Sequence, residues 1–350
     1  MSAAPPIDAA AAYWRAAAAL AAAEEAETAI GATPSDVVAR RGKRTLRRYR
    51  PRAPRAGGPP LLVTHGRVGR ATVTDLAPDR SLVADLLDRG ADVWTIDWGT
   101  SSRADMTLTF ADHVLGGVAD CADAVAAETA RRPALLGVCE GGVFALCLAA
   151  LEPGAVAGVA AAVTPVDFHA DPDALLTRWA RAFAAQDLAR LVDAFGYLPG
   201  GMMGAIFQAM TPGRTMEKYT TGLLALGDDP EELRLFLRME RWLADRPDHP
   251  GEAAKTLLID LYRENRLARG DLALDGRRVE LSAIRAPVLA ALGLRDHIVP
   301  PACARALGPL LAPATPYREV ALDAGHIGVF VSRRAGGGLA AALGDWLEAL

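Results

Sequence analysis

Cys139 stands between glycines in the stretch LLGVCEGGVFALC, residues 135–147. A thiolate attacks carbonyl carbon well if a neighbour takes its proton and if the charge that develops on oxygen is received. Gly137-Val138-Cys139-Glu140-Gly141 has the spacing of a nucleophile elbow with Cys in the place of Ser. The glycines supply room, because the nucleophile sits on a strained turn and a side chain two residues away would crowd it. The competing reading is a cysteine buried on a tight turn, a common fate of free Cys. Context favours the nucleophile. The apolar run 134–138 predicts a strand before it, and the Gly-rich apolar segment predicts a helix after it. The start of that helix offers unpaired N–H groups and a positive dipole end, which favour both a thiolate and an oxyanion.

A cysteine nucleophile needs a base. Where such an elbow sits in an α/β sheet, the acid and then the histidine follow it in the chain. Asp296 ends an apolar strand in LGLRDHIVPP, and His326 follows the last predicted strand in DAGHIGVF. His326 is the expected base and Asp296 the group that holds its tautomer. His297 competes as base, although adjacent residues tend to point apart. Asp323 reads as a local loop hydrogen-bonder. Asp97 ends a strand but precedes the nucleophile, which marks it as structural. His65 reads as a structural histidine, and His113, His169 and His249 carry no partner signal. Cys121 and Cys147 lie on helical segments and read as core, and Cys303 has no assigned role.

These residues need a scaffold. LLVTH (61–65), ADVWTIDWG (91–99), 134–138 and GVAAAVTP (158–165) read as buried strands. Helical segments at 81–90 and about 110–130 separate them. Continuous apolar strands alternating with amphipathic helices predict a mostly parallel, doubly wound sheet. The rhythm stops at Asp167 and resumes at 286–296, with a helix near 301–312, a strand at 317–322 and a C-terminal helix. The expected organisation is an N-terminal helical segment (1–39, with Ala-rich 7–30 helical), a first core part (40–166), an inserted helical cap (167–286) and a second core part (287–350). The basic run RRGKRTLRRYRPRAPR, residues 40–55, reads as a charged edge strand, with an anionic-ligand patch as the other option.

Composition narrows the function classes. Charged residues make up 23% and the net charge is −4, which does not suggest nucleic acid. No apolar run approaches the ~18–20 residues of a membrane helix. The N-terminus lacks the pattern of a secretory signal. The four cysteines form no C-x-x-C pair and fit a reducing compartment, so no metal site is expected.

The box Gly137-Val138-Cys139-Glu140-Gly141-Gly142 resembles the lipase-like box of polyhydroxyalkanoate synthases, G-x-C-x-G-G. The segments DLAPDRSLV (75–83), DVWTIDWG (92–99), VTPVDFH (163–169), DHIVPP (296–301) and GHIGVFVS (325–332) are similar to parts of the same family. The length and short N-terminus resemble its class III catalytic subunit. The resemblance implies an α/β-hydrolase fold with a helical cap and catalytic roles for Cys139, Asp296 and His326. It implies an (R)-3-hydroxyacyl-CoA substrate, no cofactor, a polyester product and a cytoplasmic location at granule surfaces. A homodimer and a second, non-catalytic subunit (PhaE-like) are expected partners. Asp296 would also help deprotonate the attacking hydroxyl. Oxyanion N–H groups would come from Val68 and Glu140. Two departures stand out. Glu140 replaces a frequent Gln and is expected to turn toward solvent. In the loop THGRVGRATVTDL, Arg70-Ala71-Thr72 stands where Arg-Pro-Tyr is usual. A hydrolase of the same fold and a non-catalytic granule-binding relative are the alternatives.

Overall fold

The computed structural model describes residues 28–226 and 229–350, together with Trp14 and Ala18. The helix expected over 7–30 therefore falls outside the described residues except at Trp14, Ala18 and 28–30. The chain opens with β1 (Ser35–Arg41), β2 (Arg44–Tyr49) and β3 (Leu61–His65), followed by α1 (Leu82–Asp88) and β4 (Val93–Asp97). Next come α2 (Ala119–Thr129), β5 (Ala134–Val138), α3 (Glu140–Leu151) and β6 (Gly158–Ala162). After a long insertion, β7 (Val288–Gly293) and β8 (Tyr317–Leu322) complete the sheet.

The eight strands lie in the order β1-β2-β4-β3-β5-β6-β7-β8. Only β2 runs against the others. All residues of β3, β5 and β6 are buried, as expected of strands covered on both faces. One face packs on α2, α3 and part of the insertion. The other packs on α1 and the C-terminal helix Arg333–Glu348. Helix boundaries follow local chemistry. Ser81 caps α1 by accepting the Ala84 N–H at 2.9 Å, and Thr109 forms a capping box with Asp112 before the helical run that leads into α2.

The basic run lies on β1, β2 and the loop beyond. Arg48 makes two bonds to Asp92, at 2.9 and 2.8 Å, and Arg50 pairs with Asp36 at 2.7 Å. Arg41 and Arg44 share Asp120. The charges are thus matched locally on a solvated sheet edge, where exposed pairs add little to stability.

Between β6 and β7 the chain is mostly helical. It carries α4 (Leu175–Ala182), α5 (Ala185–Phe195), α6 (Gly200–Met210) and α7 (Pro230–Ala244). Asp229 caps α7 by accepting the N–H groups of Glu231 and Glu232, with Pro230 inside the first turn. Two short ladders interrupt the helices, Tyr197–Leu198 with His249–Pro250 and Ala273–Leu274 with Arg277–Arg278.

Candidate active site

The strands β3, β5 and β6 end level. Val138 is in register with His65 on one side and Ala162 on the other, so the loops that follow them share one edge of the sheet. Open α/β sheets place ligands at this edge. Cys139 is the first residue beyond β5 and turns the chain into α3 with φ 54° and ψ −121°. A non-glycine residue held there costs about 1–3 kcal/mol, so its surroundings must enforce it. The Cys139 N–H donates to the Ala162 carbonyl at 2.9 Å, and the Gly142 N–H donates to the Cys139 carbonyl at 2.9 Å. The elbow glycines are required by contact. A Cβ on Gly137 would lie 2.3 Å from the Gly142 Cα, and one on Gly141 would lie 2.2 Å from the Thr64 carbonyl oxygen. A Cβ on Gly142 would lie 1.8 Å from the Thr164 Oγ1.

Asp296 and His326 come from the loops after β7 and β8. These loops are joined by N–H donation from Leu294 to the Leu322 carbonyl at 2.8 Å and from Arg295 to the Ala324 carbonyl at 3.0 Å. The Asp296 Oδ2 lies 2.7 Å from the His326 Nδ1, while its Oδ1 accepts the N–H groups of Ile298 and Val299, each at 2.9 Å. The Cys139 thiol lies close enough to the same ring to act on it as a charge and as a hydrogen-bond partner. Burial opposes a charge on this imidazole. The Asp296 carboxylate and Cys139 outweigh it and lift the His326 pKa from 6.5 to about 10. The structure therefore brings Cys139, His326 and Asp296 into one chain of contacts. His297 is exposed and lines a cavity that Cys139 also lines.

Two cavities meet at Cys139. The larger, about 280 Å³, includes Lys218, Tyr219, Trp242, Arg246 and His297 in its lining. The smaller, about 60 Å³, is walled by apolar groups such as Leu176, Trp179, Met203, Ile206 and Leu257, with Tyr262 at its edge. Val68, Cys139, Glu140, Phe207 and Ile298 line both. Val68 thus stands beside the thiol from the loop after β3. Glu140 is the first residue of α3, where an N–H finds no carbonyl within the helix.

The Glu140 side chain departs from expectation. It does not turn to solvent but lies buried at 3% exposure. Its Oε2 accepts the Arg67 N–H at 2.6 Å, and its Oε1 lies 2.7 Å from the His249 Nε2. Burial pushes its pKa up, but His249, Arg67 and His113 outweigh this and hold it below the usual carboxylate value. His249, which showed no partner signal in the sequence, is the wholly buried partner of that carboxylate. The altered loop also has a local role. The Arg70 guanidinium reaches Asp245 at 2.9 Å and Thr100 at 2.9 Å, and its carbonyl accepts the Trp242 Nε1–H at 2.9 Å. Arg67, Trp242 and His249 carried no sequence signal, because each acts through a partner far away in the chain.

The remaining residues have structural partners. The His65 Nδ1 faces the Gly66 carbonyl at 3.1 Å, the His113 Nδ1 faces the Thr109 carbonyl at 2.8 Å, and the His169 Nε2 faces the Tyr262 carbonyl at 3.0 Å. Asp97 accepts the Gly99 N–H at 2.9 Å, and Asp323 pairs with Arg295 at 2.9 Å. Cys121, Cys147 and Cys303 are buried. Among the described residues no group of His, Cys, Asp or Glu is placed to hold a metal ion, and no helix is long and apolar enough to cross a membrane.

Comparison with known proteins gives the family of the chain. Residues 59–332 match the family model described as alpha/beta hydrolase fold. The poly(3-hydroxyalkanoate) polymerase subunit PhaC of Allochromatium vinosum is 39% identical over 322 residues, covering 91% of this chain and 89% of that one. The protein of the same name from Synechocystis sp. is 35% identical, covering 93% and 86%. Among solved structures, a hydrolase from Pseudomonas aeruginosa superposes with TM-score 0.53 at 16% identity, over 90% of this chain and 99% of that one. A putative non-heme bromoperoxidase, BpoC, from Mycobacterium tuberculosis gives 0.52 at 19%, over 83% and 94%. At such identities the solved structures speak for the fold alone. The chain belongs to the α/β-hydrolase family and, within it, to the PhaC family of poly(3-hydroxyalkanoate) polymerase subunits.

Proposed function

We propose that this chain is an acyltransferase that joins (R)-3-hydroxyacyl groups from CoA thioesters into a polyester, with Cys139 as the covalent carrier. The observation that carries this reading is the thiol itself. It sits on an enforced turn, is hydrogen-bonded to a histidine that an aspartate holds at 2.7 Å, and stands where two cavities meet. Polymerisation needs two acyl groups at one sulfur, and two chambers suit that need.

In the first step Cys139 attacks the thioester carbonyl as a thiolate whose proton His326 holds. The negative oxygen is received by the N–H groups of Val68 and Glu140. Collapse expels the CoA thiolate, which takes the proton from His326 and leaves an acyl thioester on Cys139. This exchange of one thioester for another is nearly balanced, so the acyl group stays activated. In the second step the hydroxyl of another acyl unit loses its proton to His326 and attacks the Cys139 thioester. An ester bond forms, and the Cys139 sulfur leaves and regains the proton.

Asp296 acts here by orienting His326. Both its oxygens are already engaged and its side chain is 1% exposed, which supports this role over a direct part in deprotonating the hydroxyl. The inserted segment 167–286 is the cap, and its apolar groups exclude water, the rival nucleophile at ~55 M. The small apolar chamber suits a short side chain such as that of 3-hydroxybutyryl-CoA. Nothing in these steps calls for a cofactor. A homodimer, a second non-catalytic subunit and a cytoplasmic place at the granule surface complete the proposal.

The test supplies 3-hydroxybutyryl-CoA with and without a candidate second subunit. Free CoA together with insoluble polyester is the expected result, and Cys139→Ala should abolish both while leaving the fold intact. CoA with only free hydroxyacid would make the chain a hydrolase. No CoA release in any pairing would make it a non-catalytic relative.

A further inference from the structure

We infer that the buried Glu140 carboxylate is a positioning residue that sets the spacing of the oxyanion donors and pins the inserted segment to the elbow. The inference rests on the reading of Cys139 as nucleophile with Val68 and Glu140 as N–H donors. A buried carboxylate is unfavourable unless it is paired and hydrogen-bonded. Glu140 is paired on both oxygens, and its partners come from different parts of the chain. The Arg67 N–H, at 2.6 Å, belongs to the loop after β3 and lies one peptide from the Val68 N–H. His249, at 2.7 Å, belongs to the insertion, in the two-residue ladder with 197–198. One side chain therefore joins the residue after the nucleophile, the loop that carries the second donor and the segment that covers both.

The fit leaves no slack. A Cβ on Gly66 would lie 2.5 Å from the Glu140 Cβ and 2.6 Å from its Oε2, so the loop backbone lies directly against this side chain. The far end of the same loop is held separately, by the Trp242 Nε1–H on the Arg70 carbonyl. Glu140 holds the loop from the elbow side, where the distance between the two donors is decided. A glutamine could do the same, since its amide oxygen accepts the Arg67 N–H and its amide hydrogen meets a His249 ring in the other tautomer. A residue of the same size without an acceptor could not.

Two kinds of reaction at Cys139 separate this role from general support of the fold. Alkylation by iodoacetamide needs the thiolate but no oxyanion site, whereas acylation by p-nitrophenyl butyrate or 3-hydroxybutyryl-CoA needs both. In the full-length chain, Glu140→Met should slow acylation by about 10²-fold, as loss of one oxyanion donor does, with alkylation held within about threefold. Glu140→Gln should recover acylation to within about tenfold of the parent. Unchanged acylation in Glu140→Met, an equal fall in acylation and alkylation, or a glutamine variant no better than the methionine one would each overturn the inference. If Glu140→Met shows no cooperative melting, His249→Leu takes its place, and it should again slow acylation more than alkylation. Equal slowing of the two would overturn it. Wild-type chain that is acylated by the ester but releases no CoA from the thioester sinks the polymerase reading and leaves this test standing.

Discussion

The two halves of the site are built by different means. The sheet half presents Cys139, Asp296 and His326 from the ends of β5, β7 and β8, and backbone contacts hold it. Three glycines pack against main chain or Thr164 with no space for a methyl group, and two loops are joined carbonyl to amide. The inserted half presents Phe207, Lys218 and Trp242 from helical segments and Arg246 from the turn just beyond Ala244, and side-chain contacts hold these groups. The Arg246 guanidinium lies 5.2 Å from the Phe207 ring centroid, and Lys218 pairs with Glu240. Backbone contacts fix atoms to a fraction of an ångström, as proton transfer demands. Side-chain contacts on helices let a chamber change shape without disturbing the chemistry. The contrast implies that substitutions in the sheet half act on rate or folding, and those of the cavity-lining residues Phe207, Lys218, Trp242 and Arg246 on substrate preference, whereas His249, bonded to Glu140, belongs in effect to the sheet half.

The largest break should come from Asp296→Asn, which keeps shape but leaves His326 without its carboxylate. Acylation should fall by about 10²–10⁴-fold, and chain elongation should fall with it. A loss confined to elongation, measured by single-turnover acylation against steady-state polymer, would assign Asp296 a direct role at the hydroxyl. Next is Gly142→Ala. Its Cβ meets the Thr164 Oγ1 at 1.8 Å, so stability in urea should drop by about 3 kcal/mol. Adding Thr164→Gly should restore at least half of that, and no recovery would place the strain elsewhere.

A similar magnitude is expected for acid sensitivity. Burial pushes the His113 pKa down to about 4 from 6.5, so the folded state binds fewer protons than the unfolded state between those values. Stability should therefore fall as pH drops from 6.5 to 4, by up to ~3 kcal/mol from this group. His113→Asn should flatten that limb of the stability curve, and a limb of unchanged slope would refute the assignment. The smallest effect belongs to the inserted half. Phe207→Ala enlarges both cavities that it lines and should change KM and acyl-length preference with less than about a fivefold change in acylation rate. A larger fall in rate would erase the distinction between the halves.

Much of the sheet half was legible in the sequence, and little of the inserted half. Period and apolarity mark β3 to β6, and the ends of β7 and β8 carry Asp296 and His326 into loops that the fold brings to Cys139. These signals are local, because a parallel sheet covered on both faces shows itself as unbroken apolar runs. The Glu140–His249 contact joins residues 109 apart. Neither side chain stands in a periodic pattern, so the buried carboxylate looked like a solvent-facing helix start. The ladder of 197–198 with 249–250 has two residues per strand, too short for any alternation to register. Residues 195–210 stood out by their aromatics and methionines, but composition could not say that Met203, Ile206 and Phe207 would wall the cavities behind and before one sulfur.

The helix that follows Cys139 has a consequence for biogenesis. Residues 140–150 of α3 are all buried, and they pack against Leu257, Leu261, Leu281, Ile284 and Val288, which a ribosome makes more than a hundred residues later. During that interval this wholly apolar-packed helix lacks its cover, a condition that invites self-association or capture by chaperones. Yield from an expression host should thus depend on how quickly the second half of the polypeptide arrives.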